Sequence, residues 1–412
     1  MTPLVPADPW RRNQYVTAAM VFVVFTAFAF VLPFLPLYVR QLGVRDDDAV
    51  ALWAGVLIGV APLLAGILAP VWGRLADRYG PKRMAVRALA SYIVLLALSA
   101  AVTNVGQLLA LRIGVGLFGG IGPLGLSMAT SLGPREQTGR AVGLIQAAQI
   151  LSAAVGPLLG GFLADAVGMR STFLATSALC AVALVLVAVY YEESPRAAAR
   201  GAAPRPPFLE VLRIPGTAPL LAVLFLVNFI GRSFTPILPL YIQSLGVPAS
   251  RLAVGTGVLI STYSVAAALS AAWLGRVSGR RSPRALLVAT LAGGAITVLP
   301  MAAASSFESL LVLAVLLGLA SGGSLTLCYT IGGLMVPEAV RTTAFGFFSG
   351  AALFGGAISP SVAGLLAHWD LRGIYYLDTV LFAALTLALL PGARSRAAAP
   401  AARPVAPEDR VG

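Results

Sequence analysis

The sequence predicts an all-α polytopic membrane protein, twelve transmembrane helices in two pseudo-symmetric six-helix halves. Hydrophobic residues make up 58% of the 412-residue chain and charged residues 11%, with a mean hydropathy of +0.88, far from the roughly 25% charged residues of soluble domains. The apolar residues gather in charge-poor runs of the length, roughly 20 residues, that a helix needs to cross a hydrocarbon core where only intrahelical bonds satisfy the backbone. The second half of the chain repeats the first.

The spans follow in order. The first, 15–39, follows Arg11 and Arg12 but is too long for a signal-peptide core and precedes no small-residue cleavage site, so it stays as a membrane helix. Its Pro33 and Pro36 remove backbone hydrogen bonds, which bends a helix or shapes its end. Spans two and three, 50–71 and 88–105, flank a segment dense in glycine and charge. Span four, 107–131, encloses Arg112, and span five, 141–164, is rich in small residues. Span six, 171–191, holds Cys180. A linker at 192–216, charged and rich in Pro, Ala and Arg, is too polar to cross a bilayer. Span seven, 217–242, contains Asn228, Arg232 and a second pair of prolines. Spans eight to eleven are 252–274, 285–305, 310–335 (with Cys328) and 342–367. Span twelve, 373–390, contains Asp378. The organisation is a tail at 1–14, a half at 15–191, the linker, a half at 217–391 and a tail at 392–412. Both cysteines read as buried small apolar residues, so neither a disulfide, a metal site nor a cofactor is expected.

A formal net charge of +13 would suggest nucleic acid in a soluble protein. Its distribution says otherwise. Of the 29 basic residues, five (Arg40, Arg45, Arg170, Arg251, Arg372) fall in one set of loops, two (Arg112, Arg232) fall within spans, and the remaining 22 fall in the tails and the other loops. Positive residues stay on the cytoplasmic side. Both termini are therefore expected in the cytoplasm, and no nucleic-acid partner is implied.

Self-comparison exposes the repeat. Pro33, Pro36, Leu37, Tyr38, Gly43 and Val44 recur as Pro236, Pro239, Leu240, Tyr241, Gly246 and Val247, displaced by 203 positions. The same shift relates Pro134 to Pro337, Gly143 to Gly346 and Pro157 to Pro360, and a shift of 202 relates Gly73 to Gly275 and Arg170 to Arg372. Two six-span halves related by an axis along the membrane normal are the build of a carrier that rocks around a central site.

Three motifs carry a family resemblance. After span two the chain reads Gly73-Arg74-Leu75-Ala76-Asp77-Arg78-Tyr79-Gly80-Pro81-Lys82-Arg83, which resembles the signature loop of the major facilitator superfamily. The resemblance implies a conformational latch made of Gly73, Asp77, Arg78, Gly80, Lys82 and Arg83. The copy in the second half, Gly275 to Arg281, is degraded, with Gly279 in the place of Asp77. Span four carries Arg112-Ile113-Gly114-Val115-Gly116, which resembles the family's Arg-x-x-x-Gly motif and implies a part for Arg112 in proton coupling. A charge there costs at least about 2.5 to 3.5 kcal/mol, so it is expected to face a partner and a wet cavity, or to snorkel to an interface. Span five reads Ser152-Ala153-Ala154-Val155-Gly156-Pro157-Leu158-Leu159-Gly160-Gly161, similar to the family's antiporter motif except for Ser152 in place of Gly. Gly156, Pro157, Gly160 and Gly161 then read either as the mark of antiport or as plain helix packing.

The resemblance, to the twelve-span drug:proton antiporters, implies a secondary active transporter, a proton-coupled exporter of small amphiphilic molecules, acting as a monomer in the bacterial inner membrane, with protons, a small-molecule substrate and the bilayer as partners. The in-span charges Arg112, Arg232 and Asp378 are the candidates for proton coupling or cavity charge. Tyr38, Gln146, Gln149 and Asn228 are the candidates for the substrate cavity, with Phe22 and Phe25 as apolar wall. Two arginines without a central carboxylate suit anionic, zwitterionic or neutral amphiphiles. Asp165 is expected to pair with Arg170 and tie down an outer loop, and His368 to sit at the interface. A phosphate-cradling Gly-x-x-x-x-Gly-Lys loop is excluded because the only lysine, Lys82, follows Pro81. A single histidine and two isolated cysteines leave no catalytic cluster, so no enzyme is expected. The competing reading is a symporter or uniporter importing a nutrient such as a sugar or organic anion.

Overall fold

The computed structural model describes residues 9–130, 138–192, 212–337 and 341–396, and among them the regular structure is helical. The helices of the first half are α1 (Pro9–Ala29), α2 (Leu35–Gln41), α3 (Asp47–Tyr79), α4 (Pro81–Ser99), α5 (Val105–Phe118), α6 (Ile121–Thr130) and α7 (Thr138–Tyr190). The second half contributes α8 (Thr217–Ser233), α9 (Leu238–Ser244), α10 (Leu252–Val277), α11 (Pro283–Met301), α12 (Phe307–Ser321), α13 (Ser324–Met335), α14 (Arg341–Leu366) and α15 (Gly373–Arg396). Most of the linker, 193–211, and the last residues of the C-terminal tail lie outside the described residues, as does Pro134.

Among the described residues eight segments are long and apolar enough to cross a bilayer, nine if the bent pair α8 and α9 is one span. The remaining spans are hidden by local chemistry. Gly143–Tyr190, 48 residues long, is spans five and six joined at Gly168, whose φ of 80° breaks the helix. Helix α4 carries Lys82, Arg83 and Arg87 in its first turns, and span four is cut between Phe118 and Ile121 into α5 and α6. Span three begins seven residues earlier than expected for the same reason, because basic residues extend a helix beyond the apolar run.

The signature segment is not a loop. Helix α3 runs through Gly73 to Tyr79, and the turn is the single residue Gly80, at φ 92°, followed by Pro81 at the first position of α4. The prolines of spans one and seven lie where those helices break. Pro33 sits in a 3-10 turn and Pro36 in the first turn of α2, while α8 and α9 meet at 44° across the segment containing Pro236.

The repeat is visible in side-chain contacts. The Tyr38 hydroxyl donates to the Ser99 carbonyl at 2.9 Å, and its copy Tyr241 donates to the Met301 carbonyl at 2.7 Å. Tyr38 packs on Phe173 at 5.0 Å between ring centres, and Tyr241 packs on Tyr375 at 5.3 Å. Within each half the first and fifth spans lie together, α1 with α7 and α8 with α14. Between the halves the contact is α3 with α14 and α7 with α10, one pseudo-two-fold copy of the other.

Candidate transport cavity and its closure

Two glycine seams join the halves, and they are copies of one another. A Cβ on Gly55 would stand 2.1 Å from the Pro360 carbonyl oxygen, and one on Gly257 would stand 2.3 Å from that of Pro157. Likewise a Cβ on Gly364 would stand 2.4 Å from the Ala51 carbonyl oxygen, and one on Gly161 would stand 2.4 Å from that of Ala253. Only residues without a side chain let two helices approach this closely. Both seams lie near the face that carries residues 42–46, 168–170, 245–251 and 367–372, here called the far face. The opposite, terminal face carries Asn13, whose side chain donates to the Glu192 carbonyl at 2.7 Å.

Polar contacts complete the closure of the far face. On the pseudo-two-fold axis Arg40 Nη1 donates to Oε1 of Gln243, its own copy, at 2.5 Å, and Arg40 also pairs with Asp47. Asp165 in the first half accepts the backbone N–H of Val254 at 2.9 Å, in the first turn of α10. At the equivalent place in the second half His368 Nδ1 lies 3.1 Å from Asp48 Oδ2, in the first turn of α3. A cavity of about 200 Å³ lined by Leu37, Arg40, Asp165, Gln243 and Leu252 sits among these groups. The expected pairing of Asp165 with Arg170 is therefore incorrect. Arg170 donates instead to the Val102 carbonyl at 3.4 Å, beyond the break at Gly168 that separates it from the last turn of span five.

The small-residue motif of span five lies at the junction of three spans. Positions 156 and 160 meet span one, Gly156 against Ala29 and Gly160 against Phe30, each at 2.5 Å from a built Cβ. Pro157 and Gly161 face the other half as part of the seam. The motif thus sets how close span five comes to its own half and to its partner half together.

A second cavity, of about 150 Å³, opens among α8, α10, α12, α13 and α15 and is lined by Asn228, Arg232, Tyr263, Ser321 and Ser324 with Phe382. Arg232 is solvent-exposed there although its surroundings are membrane-spanning helices. Behind it Asp378, 1% exposed, meets the Ser233 hydroxyl at 2.5 Å, and its other oxygen Oδ1 has no partner. Tyr263 lies within electrostatic range of both Arg232 and Asp378.

The predicted residues are only partly assembled. Asn228 and Arg232 share the cavity, with Asp378 next to it. Tyr38 is not a cavity residue: it is fully buried, hydrogen-bonded to Ser99 and packed on Phe173. Arg112 does not face a wet cavity. It is 2% exposed and its Nε donates to the Leu57 carbonyl at 3.0 Å, so a helix carbonyl of span two takes the place of water. On α7, Gln146 is exposed and Gln149 half-buried. The backbone of Gly73, Asp77, Arg78, Gly80, Lys82 and Arg83, the residues expected to form a latch, is helical or turn, and the side chain of Asp77 lies outside the described residues. Sequence reading missed Tyr263 and Ser321, uncharged residues without a motif. It also missed Arg87, whose guanidinium stacks 3.7 Å over the Trp72 ring and reaches the Gly119 carbonyl at 3.5 Å, at the cut in span four.

Residues 17–257 and 249–411 match the family profile described as Major Facilitator Superfamily. The chain belongs to the major facilitator superfamily. It is similar to the multidrug resistance protein MdtG of Dickeya zeae, 34% identical over 80% of this chain and 81% of the relative. It is also similar to the multi-drug resistance efflux pump PmrA homolog of Lactococcus lactis, 34% identical over 76% of this chain and 78% of the relative. Among solved structures the fold matches a D-xylose-proton symporter with a TM-score of 0.76 at 14% identity, over 91% of this chain and 96% of the other. A bacterial homologue of the lysosomal transporter Spinster matches with a TM-score of 0.75 at 16% identity, over 96% and 100%. As a superfamily member the chain is a multi-pass membrane transporter and not an enzyme.

Proposed function

We propose that this superfamily member exports small amphiphilic molecules from the cytoplasm in exchange for protons, by alternating access, from the inner membrane of a bacterium. The observation that carries the reading is the pairing of a far face held shut by symmetric seams with an exposed arginine deep in the second half. A solvent-reachable Arg232 beside a closed far face is what a carrier open toward its other side presents. The excess of basic residues on the terminal face supports a cytoplasmic position for that side, where an exporter loads its substrate. The names of the curated relatives, multidrug resistance and efflux proteins, support the direction. A cavity lined within one chain supports the monomer as the unit of transport.

With Arg112 withdrawn into the first half, Arg232 is the cation that meets a substrate, beside Asn228 and the hydroxyls of Tyr263 and Ser321. This set suits a zwitterionic or anionic amphiphile. In inverted membrane vesicles with an imposed proton gradient, the exporter accumulates rhodamine B, a zwitterionic amphiphile. Arg232→Ala lowers that accumulation at least tenfold, more than it lowers that of tetraphenylphosphonium. An importer accumulates neither dye, and equal effects of the substitution on both dyes refute the assigned role of Arg232.

A further inference from the structure

One hydroxyl in span seven is over-committed. Ser233 Oγ lies 2.5 Å from Asp378 Oδ2 and 2.9 Å from the Ile230 carbonyl oxygen, and both oxygens stand in the place of acceptors. A serine hydroxyl has one hydrogen to donate. The two distances are satisfied together when Asp378 is a carboxylic acid whose O–H donates to Ser233 Oγ, while Ser233 donates to Ile230. As a carboxylate Asp378 can only accept, and Ser233 must then release Ile230 to serve it.

We propose that Asp378 carries the exchanged proton in this transporter and that Ser233 transmits its protonation to the bend in span seven. The inference rests on the antiport reading above. Ser233 is the last residue of α8, next to Arg232 in the cavity and immediately before the segment where the chain turns by 44° into α9. Switching Ser233 between the Ile230 carbonyl and Asp378 changes the hydrogen bonding of the last helical turn before that bend, which is how a proton reaches the backbone that has to move. The balance is simple: one proton leaves the outer solution and forms the acid O–H, and the same proton leaves for the cytoplasm when the carboxylate re-forms.

The surroundings fit a group that cycles between acid and carboxylate. Asp378 Oδ1 and the hydroxyl of Tyr375, one turn earlier on α15, are both buried without a partner, so neither oxygen is committed to a fixed structural bond. Helix α15 packs on α8, α11 and α14. The ionisable groups within electrostatic range of Asp378 are Tyr263 of α10, which also lies near Arg232, and its own Tyr375, whose ring packs on that of Tyr241 at 5.3 Å. The only ionisable residues of α11 and α14 are Arg284 and Arg341, each in the first turn at the terminal face. Position 378 has no acidic copy in the first half, where Thr176 stands in its place.

The test compares purified parent, Asp378→Asn, Asp378→Glu and Ser233→Ala proteins in proteoliposomes and in weakly buffered detergent solution, with rhodamine B as the probe. Asparagine keeps the shape and the hydrogen bond to Ser233 but carries no exchangeable acid proton. Asp378→Asn is expected to keep rhodamine B counterflow within twofold of the parent, to lose at least tenfold in accumulation driven by a pH gradient, and to release no proton when the dye is added. Asp378→Glu restores proton release, and Ser233→Ala keeps it while slowing exchange. Gradient-driven accumulation by Asp378→Asn equal to the parent overturns the assignment, as does loss of counterflow in both Asp378 variants. A parent that shows counterflow but no gradient-driven accumulation removes the antiport reading, and this assignment with it.

Discussion

Gly257→Ala tests the seam that closes the far face. The added Cβ would stand 2.3 Å from the Pro157 carbonyl oxygen, 3.0 Å from its carbon and 3.2 Å from the Leu158 Cα. These are backbone atoms that cannot rotate away, so α7 and α10 must part by about 1 Å. Overpacking of this kind costs about 1 to 3 kcal/mol. The cost falls on the far-face-closed state alone, because the open state separates these helices, so the equilibrium moves toward opening by about 5- to 150-fold. Gly255→Ala, on the same helix, is the control. Its Cβ would meet Phe307 at 3.6 Å and Ile242 and Val247 at 3.8 Å, which are ordinary contacts. Both changes gain the same helix propensity, about 1 kcal/mol, so their difference isolates the seam. Nitroxide labels on cysteines placed at the exposed positions 46 and 251 report the separation of the halves by electron-electron double resonance, and the native Cys180 and Cys328 are buried. Gly257→Ala should populate a longer far-face distance that Gly255→Ala and the parent lack. Identical distributions for the two variants would refute the seam as the closing element.

Two further outcomes follow. Asp165→Ala removes the acceptor for the first turn of α10, worth about 0.5 to 1 kcal/mol after allowance for solvent screening, and should move the same label pair toward the open distance by about 2- to 5-fold. Asp77→Asn should reduce rhodamine B transport in vesicles more than any substitution at Gly279, its degraded counterpart, and an unchanged rate would remove Asp77 from the latch.

The apolar runs and the repeat displaced by 203 positions made the architecture readable, because membrane insertion and gene duplication both write themselves on the sequence as length and period. Where the reading failed, a helix crossed a composition boundary. Gly73 to Tyr79 reads as loop because it is charged, yet it extends α3, since charge at a membrane edge forbids burial in lipid but does not forbid helix. The split at Gly119 and Gly120 was equally hidden, because a Gly-Gly pair is permitted inside a membrane helix and only the neighbours decide whether it breaks. The charges of the site were readable one by one, as in-span Arg232 and Asp378. Their relation was not. That Ser233 joins Asp378 depends on a contact between residues 145 apart, and Tyr263 has no signature until α10 is placed beside α8. The far-face contacts of Asp165 and His368 were unreadable for the same reason: each reaches the other half, and no local pattern announces a partner across the interface.

Access to the cavity from each side in turn is the claim on which everything else depends. It is measured most directly with a single cysteine at position 228, on the wall shared with Arg232, and a membrane-impermeant maleimide applied from one side of the membrane at a time. Labelling from the cytoplasmic side in the resting state, with labelling from the outside appearing only once Gly257→Ala is added or a proton gradient is imposed, is the predicted result. A cysteine at 228 that is labelled from neither side, or from both sides at once in the resting state, would contradict it.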